Sequence, residues 1–201
     1  MENTLDNFID KDFLQDNLTF TSFYIALYEN MVDYVVSNVR DFLCDFSVKD
    51  GKVKYKKTKE YKEKIENKVV DEKGNKNITK ASFLWFVEHG AISDEDYQSF
   101  LLIKDTRNLF AHKLLNVVFR GVEEDEVKYF LDMVSLYRKI SNWWFRNIEA
   151  GIIGDEIPDN VDISQAQSVE NVLFDIMFEV LYKEKSPEYK RIILERKQNN
   201  I

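Results

Sequence analysis

The residues best suited to chemistry lie in one short segment, Arg107-Asn108-Leu109-Phe110-Ala111-His112. Histidine exchanges protons close to neutral pH, because its unperturbed pKa is about 6.5. Arginine stays charged, and its planar guanidinium matches a phosphate group. Together they suit reaction at a phosphate ester, with His112 as general acid or base and Arg107 on the phosphate.

Further polar residues surround this pair. Lys104, Asn108 and His112 follow a spacing of four residues and share one helix face. Asn108 could hydrogen-bond the phosphate or orient the imidazole, while Lys104 and Lys113 would add positive potential. On an ideal helix, Arg107 and His112 are separated by about 140° and about 7.5 Å, so they do not stack directly.

This set of residues can cleave RNA without a metal ion. The 2′-hydroxyl attacks the adjacent phosphorus, a base takes its proton, a cation stabilises the phosphoryl oxygens, and an acid protonates the leaving 5′-oxygen. DNA lacks that nucleophile. Cys44 is the only cysteine, and no Asp, Glu and His cluster has clear metal-binding spacing. We therefore expect a metal-independent reaction and no cofactor.

The elements that position these residues are predicted to be helices. Two Pro and six Gly leave few turn signals, and apolar residues recur at helical spacing. The predicted helices cover about 20–46, 79–89, 93–118, 123–149 and 169–182, with a last helix from Pro187. The sequence predicts an all-α antiparallel bundle with C-terminal helical additions at about 164–198.

One segment departs from the helical pattern. Asp50-Gly51 lies between alternating residues 48–55, which predicts a β-hairpin. The span 49–80 holds 12 lysines against 6 acidic residues, whereas the whole chain carries −8. This Lys-rich insertion, about 47–80, is either a solvated excursion or an RNA-backbone contact through Lys54, Lys56 and Lys57.

The Arg107–His112 segment within an all-α chain resembles the HEPN superfamily (higher eukaryotes and prokaryotes nucleotide-binding domain). HEPN domains are helical bundles whose motif is Arg, commonly a polar residue, and then His after four to six positions. The similarity covers about residues 20–150. HEPN toxins paired with nucleotidyltransferase antitoxins usually have His-x-Tyr, whereas this chain has His112-Lys113-Leu114, so control through that tyrosine is not expected.

The resemblance implies an endoribonuclease of toxin or antiviral (abortive-infection) type, with a possible antitoxin or defence-system partner. It also implies a homodimer paired through the motif-bearing face, to which Leu109, Phe110 and Trp143 would contribute apolar contact. Length favours a single domain, 1–201. The lack of an export signal or membrane span predicts a cytoplasmic protein without membrane contact.

Other functions remain open. A non-catalytic HEPN module would bind a nucleotide, an RNA or a partner protein in the same cleft. Arg107 and His112 would then only pair with Asp105, with acids of neighbouring helices or with free carbonyls. A DNA-binding regulator is a third class, which the charge of −8 opposes.

Overall fold

The computed structural model describes residues 10–153, which are mostly helical with one two-stranded antiparallel sheet. The elements in chain order are α1 (Lys11–Leu43), β1 (Cys44–Lys49), β2 (Lys52–Lys57), α2 (Lys59–Tyr61), a π-helical turn (Lys62–Glu66), α3 (Ile78–Glu88), α4 (Asp94–Arg120), α5 (Glu124–Trp144), a second π-helical turn (Phe145–Glu149) and α6 (Ala150–Ile153). The predicted helical class is confirmed. The C-terminal helices predicted at 164–198 lie outside the described residues.

The chain forms two compact units. Among the described residues, the motif unit contains 10–28 and 98–153, and the hairpin unit is Glu29–Tyr97. Both boundaries fall inside helices, within α1 and α4. Between residues 10 and 153, no helix is both long and apolar enough to cross a membrane.

Helix α1 begins earlier and ends earlier than predicted. The Asp10 carboxylate accepts a hydrogen bond from the Phe13 backbone N–H (3.0 Å), which caps the first turn. At the other end, the Thr58 hydroxyl donates to the carbonyl oxygen of Leu43. The prediction that helix continues to Phe46 was wrong, because Phe46 lies in β1, where it is 67% exposed.

The hairpin prediction is confirmed and extended to Cys44–Lys57. Asp50 and Gly51 both have positive φ, 53° and 71°, as a two-residue type I′ turn requires. The register pairs Lys49 with Lys52 next to the turn and Cys44 with Lys57 at the base.

Aromatic rings form the core of the motif unit. Phe20 and Tyr24 of α1 lie against Phe110 of α4, with ring centroids 6.4 and 4.9 Å away, and Phe20 also contacts Phe130 of α5 (5.2 Å). The Tyr24 hydroxyl donates to the Ile103 carbonyl oxygen (3.1 Å), and burial raises the pKa of Tyr24. Each helix therefore has a fixed rotation about its axis.

Capping hydrogen bonds confirm the predicted C-terminus of α3 and the predicted N-terminus of α4. Gly90, at φ 70°, follows α3, and the Gly90 and Ala91 N–H groups donate back to Val87 and Phe86, a Schellman motif. Ser93 caps α4, since its hydroxyl accepts from the Asp96 N–H (3.2 Å) while Asp96 accepts from the Ser93 N–H (3.0 Å).

The turn from α4 to α5 packs tightly against α1. Gly121 has φ 89°, and a Cβ at this position would lie 2.9 Å from Cζ of Phe13. The buried side chain of Asn17 accepts a hydrogen bond from the Val122 N–H (2.8 Å). Helix α5 then begins with a capping box between Glu123 and Glu126.

Candidate functional site

Helix α4 carries the predicted site residues, and its buried face determines where they lie. Phe110 is 0% exposed and is anchored in the aromatic core. His112 lies two residues later, about 200° round the helix, and is therefore on the outer side. Arg107 and Asn108 are half-buried on the flank, while His112 is exposed.

The rotation of α4 corrects one expectation about the dimer face. Phe110 was expected to contribute apolar contact to a second copy, but it is fully buried inside the motif unit. Leu109 and Trp143 are half-buried. The large apolar side chain that α4 does expose close to His112 is Leu115, which is 68% exposed and three residues further on.

Arg107 is held by aromatic and amide neighbours. Its guanidinium carbon lies 5.6 Å from the ring centroid of Tyr28, within cation–π range. Its Nη1 donates to Oδ1 of Asn108 (3.2 Å). The Tyr28 ring stacks in turn on Phe100, with centroids 6.4 Å apart and an interplanar angle of 2°. The position of the Arg107 charge is therefore set by Tyr28 of α1 as well as by Asn108 of its own helix.

The sequence reasoning missed Tyr28 as a residue of this site. The one signal in the sequence was its place on the buried stripe of α1, four residues after Tyr24 and three before Met31. That spacing places Tyr28 in the core, but it does not indicate which residue of α4 its ring contacts. The pairing with Arg107 depends on how the two helices pack.

His112 stands at an interruption of the helix. The next residue, Lys113, has φ −129° and ψ 32°, outside the helical range, so α4 consists of two helical segments that meet there. No Pro or Gly lies at this point, so the usual sequence causes of a kink are missing. Within the described residues, His112 forms no hydrogen bond or ion pair.

The structure brings together part of the predicted set. Arg107 contacts Asn108, whereas no hydrogen bond among residues 10–153 joins either of them to His112. Lys104 is half-buried and Lys113 is exposed. Asp105 is exposed and forms no ion pair with any residue of the described part, so it does not neutralise the motif.

The lysines predicted to bind RNA lie on β2, in the hairpin unit. Lys54 and Lys56 are exposed and form no ion pair with the described residues. Lys57 differs, because its Nζ lies 3.1 Å from Oε1 of Glu66, which Lys76 also contacts at 2.9 Å. The hydrogen bond from Lys76, and to a smaller extent the one from Lys57, lowers the pKa of Glu66.

No family model, curated protein or solved structure matches this chain. The resemblance to HEPN proteins therefore rests on the Arg107–His112 segment and on the helical pattern around it. Within residues 10–153, no three His, Cys, Asp or Glu side chains are grouped so that they could hold a metal ion.

Proposed function

We propose that this chain is a HEPN-like helical bundle that acts as a metal-independent endoribonuclease. The observation that carries the proposal is the arrangement on α4: His112 is exposed on the outer side, and Arg107 is held on the flank of the same helix by Tyr28. An exposed imidazole can reach a substrate, and a located guanidinium reduces the entropy lost when it binds a phosphate.

The proposed roles follow from the chemistry of each side chain. His112 takes the proton from the 2′-hydroxyl or supplies one to the leaving 5′-oxygen. Arg107 neutralises the charge that develops on the phosphoryl oxygens. Asn108, whose oxygen already accepts from Arg107, keeps its amide N–H groups for the phosphate. Lys104 and Lys113 raise the local positive potential.

A homodimer is part of this proposal. Within one chain, Arg107 and His112 make no direct hydrogen bond and point to different sides of α4. Two symmetry-related helices can surround one phosphate more readily than a single helix can. Leu115, exposed beside His112, would supply apolar contact across the symmetry axis. The role as a toxin or antiviral effector, with an antitoxin or defence partner, is supported by the resemblance alone.

Incubation of purified protein with a defined RNA tests the proposed activity. We expect cleavage in EDTA and products that end in a 2′,3′-cyclic phosphate or its hydrolysis product. His112→Ala should lower the rate by at least about 100-fold, which is typical when a general acid or base is removed. His89→Ala is the matched control, because His89 is the only other histidine and lies in the hairpin unit.

The control variant must retain wild-type cleavage, and both variants must unfold at temperatures close to that of the wild type. Cleavage that requires a divalent ion, or that survives in His112→Ala, would contradict the assigned mechanism.

The second candidate is a non-catalytic HEPN module that binds RNA, a nucleotide or a partner protein. The observation that favours it is that the Arg107 guanidinium is already engaged with Tyr28 and Asn108. This alternative requires RNA to remain intact after long incubation with correctly folded protein, although the RNA binds. A general-acid role for His112 requires turnover in the same experiment.

A further inference from the structure

The hairpin Cys44–Lys57 has two chemically different faces. In the observed register, Ser47, Lys49, Lys52, Lys54 and Lys56 lie on one face together with Asp45. The other face carries Phe46, Val48, Val53 and Tyr55, with Phe46 opposite Tyr55 and Val48 opposite Val53. Every hairpin residue after Cys44 is exposed, so both faces are accessible within the hairpin unit.

Four lysines of the first face, Lys49, Lys52, Lys54 and Lys56, form no ion pair with the described residues. Neighbouring lysines behave differently, since Lys57, Lys59, Lys64, Lys68 and Lys76 are each paired with a glutamate. Lys49 and Lys52 even lie directly opposite one another, an arrangement that costs stability because like charges repel. The hairpin thus keeps a face that carries four lysines against one carboxylate, Asp45, on a chain of net charge −8.

The second face leaves large apolar side chains in solvent. Phe46 and Val48 are each 67% exposed, Val53 is 52% exposed and Tyr55 is 39% exposed. Arg40 lies over the Tyr55 ring, with its guanidinium carbon 4.2 Å from the centroid. An exposed phenyl ring, and a tyrosine with a guanidinium beside it, are suited to stacking of planar groups.

Two properties select the occupant of this hairpin. A second copy would bring two positive hairpins together, and the apolar face consists of only four side chains, Phe46, Val48, Val53 and Tyr55. A stable interface uses about 20–30 residues and buries roughly 800 Å² per partner. A single-stranded nucleic acid satisfies both faces, because it carries phosphates for the lysines and planar bases for the rings.

We propose that the hairpin Cys44–Lys57 is a binding arm for single-stranded RNA, with bases stacked on Phe46 and against the Arg40–Tyr55 pair, and with phosphates held by Lys49, Lys52, Lys54 and Lys56. The sheet has only two strands, so both are edge strands. A lysine side chain is long enough to reach round the edge to a backbone that passes there. The proposal rests on the proposed function, since it names the form of RNA that the ribonuclease takes.

Fluorescence anisotropy with a labelled 2′-O-methyl oligouridylate tests the arm independently of cleavage, because this strand lacks the attacking hydroxyl. Phe46→Ala should weaken binding at least fivefold, since one stacked base contributes about 1–3 kcal/mol. Phe46→Trp should retain wild-type affinity. The salt dependence of binding should not change in either variant, because all four lysines remain to neutralise phosphates.

The lysines are tested through the salt slope. Replacing Lys49, Lys52, Lys54 and Lys56 together with Gln should lower the slope of log K against log salt by about 0.7 for each phosphate that is no longer neutralised. The matched control replaces Lys59, Lys62, Lys64 and Lys68 with Gln, an equal change of charge outside the hairpin. The control should retain a slope close to that of the wild type.

Equal effects of the two quadruple variants, or unchanged affinity in Phe46→Ala, would overturn the proposal. A Phe46→Ala variant that loses self-association or binding to phosphatidylserine vesicles, but keeps RNA affinity, would assign the face to a second copy or to a membrane instead. The two proposals can fail separately. If no assay shows cleavage but the hairpin still binds oligouridylate, only the proposed function is contradicted. If the hairpin variants bind RNA as the wild type does but cleavage still depends on His112, only the binding arm is contradicted.

Discussion

Arg107 illustrates, at the scale of single residues, how a site depends on contacts between residues that lie far apart in sequence. Arg107, Asn108 and His112 share helix α4. The ring that lies beside the Arg107 guanidinium comes from Tyr28 of α1. Local spacing predicts which residues share an element, but the neighbour supplied by another helix depends on packing.

Replacement of Tyr28 tests whether this ring positions the arginine. Tyr28→Leu removes the cation–π interaction, which contributes about 1–2 kcal/mol when shielded from water. We expect kcat/KM for RNA cleavage to fall about 5- to 30-fold, mainly through kcat if Arg107 acts in the transition state. Tyr28→Phe keeps the ring and should lose much less activity.

Thermal unfolding of both Tyr28 variants separates positioning from folding, because Tyr28 also stacks on Phe100 in the core. A folded Tyr28→Leu protein with wild-type kcat and KM would show that the ring does not position Arg107.

At the scale of elements, predictions succeeded where a local signal determines the geometry. Asp50-Gly51 specified the hairpin turn, and Ser93 and His89-Gly90 marked helix ends, because the capping atoms belong to nearby residues. The interruption at Lys113 was missed, since neither Pro nor Gly marks it. Phe46 was assigned to α1 because its spacing continues the apolar stripe, although the strand begins at Cys44.

Two glycines that follow helices provide a matched test of the packing between α1 and the α4–α5 turn. Gly90 and Gly121 both have positive φ, but a Cβ would meet nothing within 4 Å at Gly90 and would lie 2.9 Å from Phe13 at Gly121. Gly90→Ala should cost about 1–2 kcal/mol from the backbone conformation alone. Gly121→Ala should cost at least about 1 kcal/mol more, because the ring must move.

Chemical denaturation of the two variants measures this difference in unfolding free energy. Equal destabilisation of the two proteins would show that Phe13 yields without cost and that the turn is not tightly packed.

At the scale of the whole molecule, helical class followed from composition and periodicity, because two Pro and six Gly leave long stretches free to form helix. The division into two compact units was not foreseen. Its boundaries lie within α1 and α4, where neither Pro nor Gly marks the sequence. Membership of the HEPN superfamily and the homodimer also stay predictions, since both depend on more than the spacing of residues along the chain.

Mixed dimers test whether the site takes residues from two chains. Arg107→Ala and His112→Ala chains, each inactive alone, are refolded together. If one site uses Arg107 from one subunit and His112 from the other, half of the randomly paired dimers are mixed and each keeps one intact site. Symmetry then predicts recovery of about a quarter of wild-type activity.

Light scattering at the working concentration establishes the oligomeric state in that experiment. A fully active monomer would contradict the dimer. If a proven dimer shows no recovery, then either each site takes Arg107 and His112 from one chain, or each site needs both copies of both residues.

Cys44 is a built-in chemical probe of how often the base of the hairpin opens. It is the only cysteine in the chain, it is 7% exposed, and it pairs with Lys57 at the base of the ribbon. Burial raises the pKa of its thiol, so the reactive thiolate is scarce in the closed state. When the ribbon base recloses faster than a thiol reagent reacts, Sγ is labelled at the intrinsic thiol rate multiplied by the fraction of time that the base is open. The ratio of the two rates therefore yields the free energy of that local opening. A ligand that holds the ribbon closed slows the labelling of Cys44.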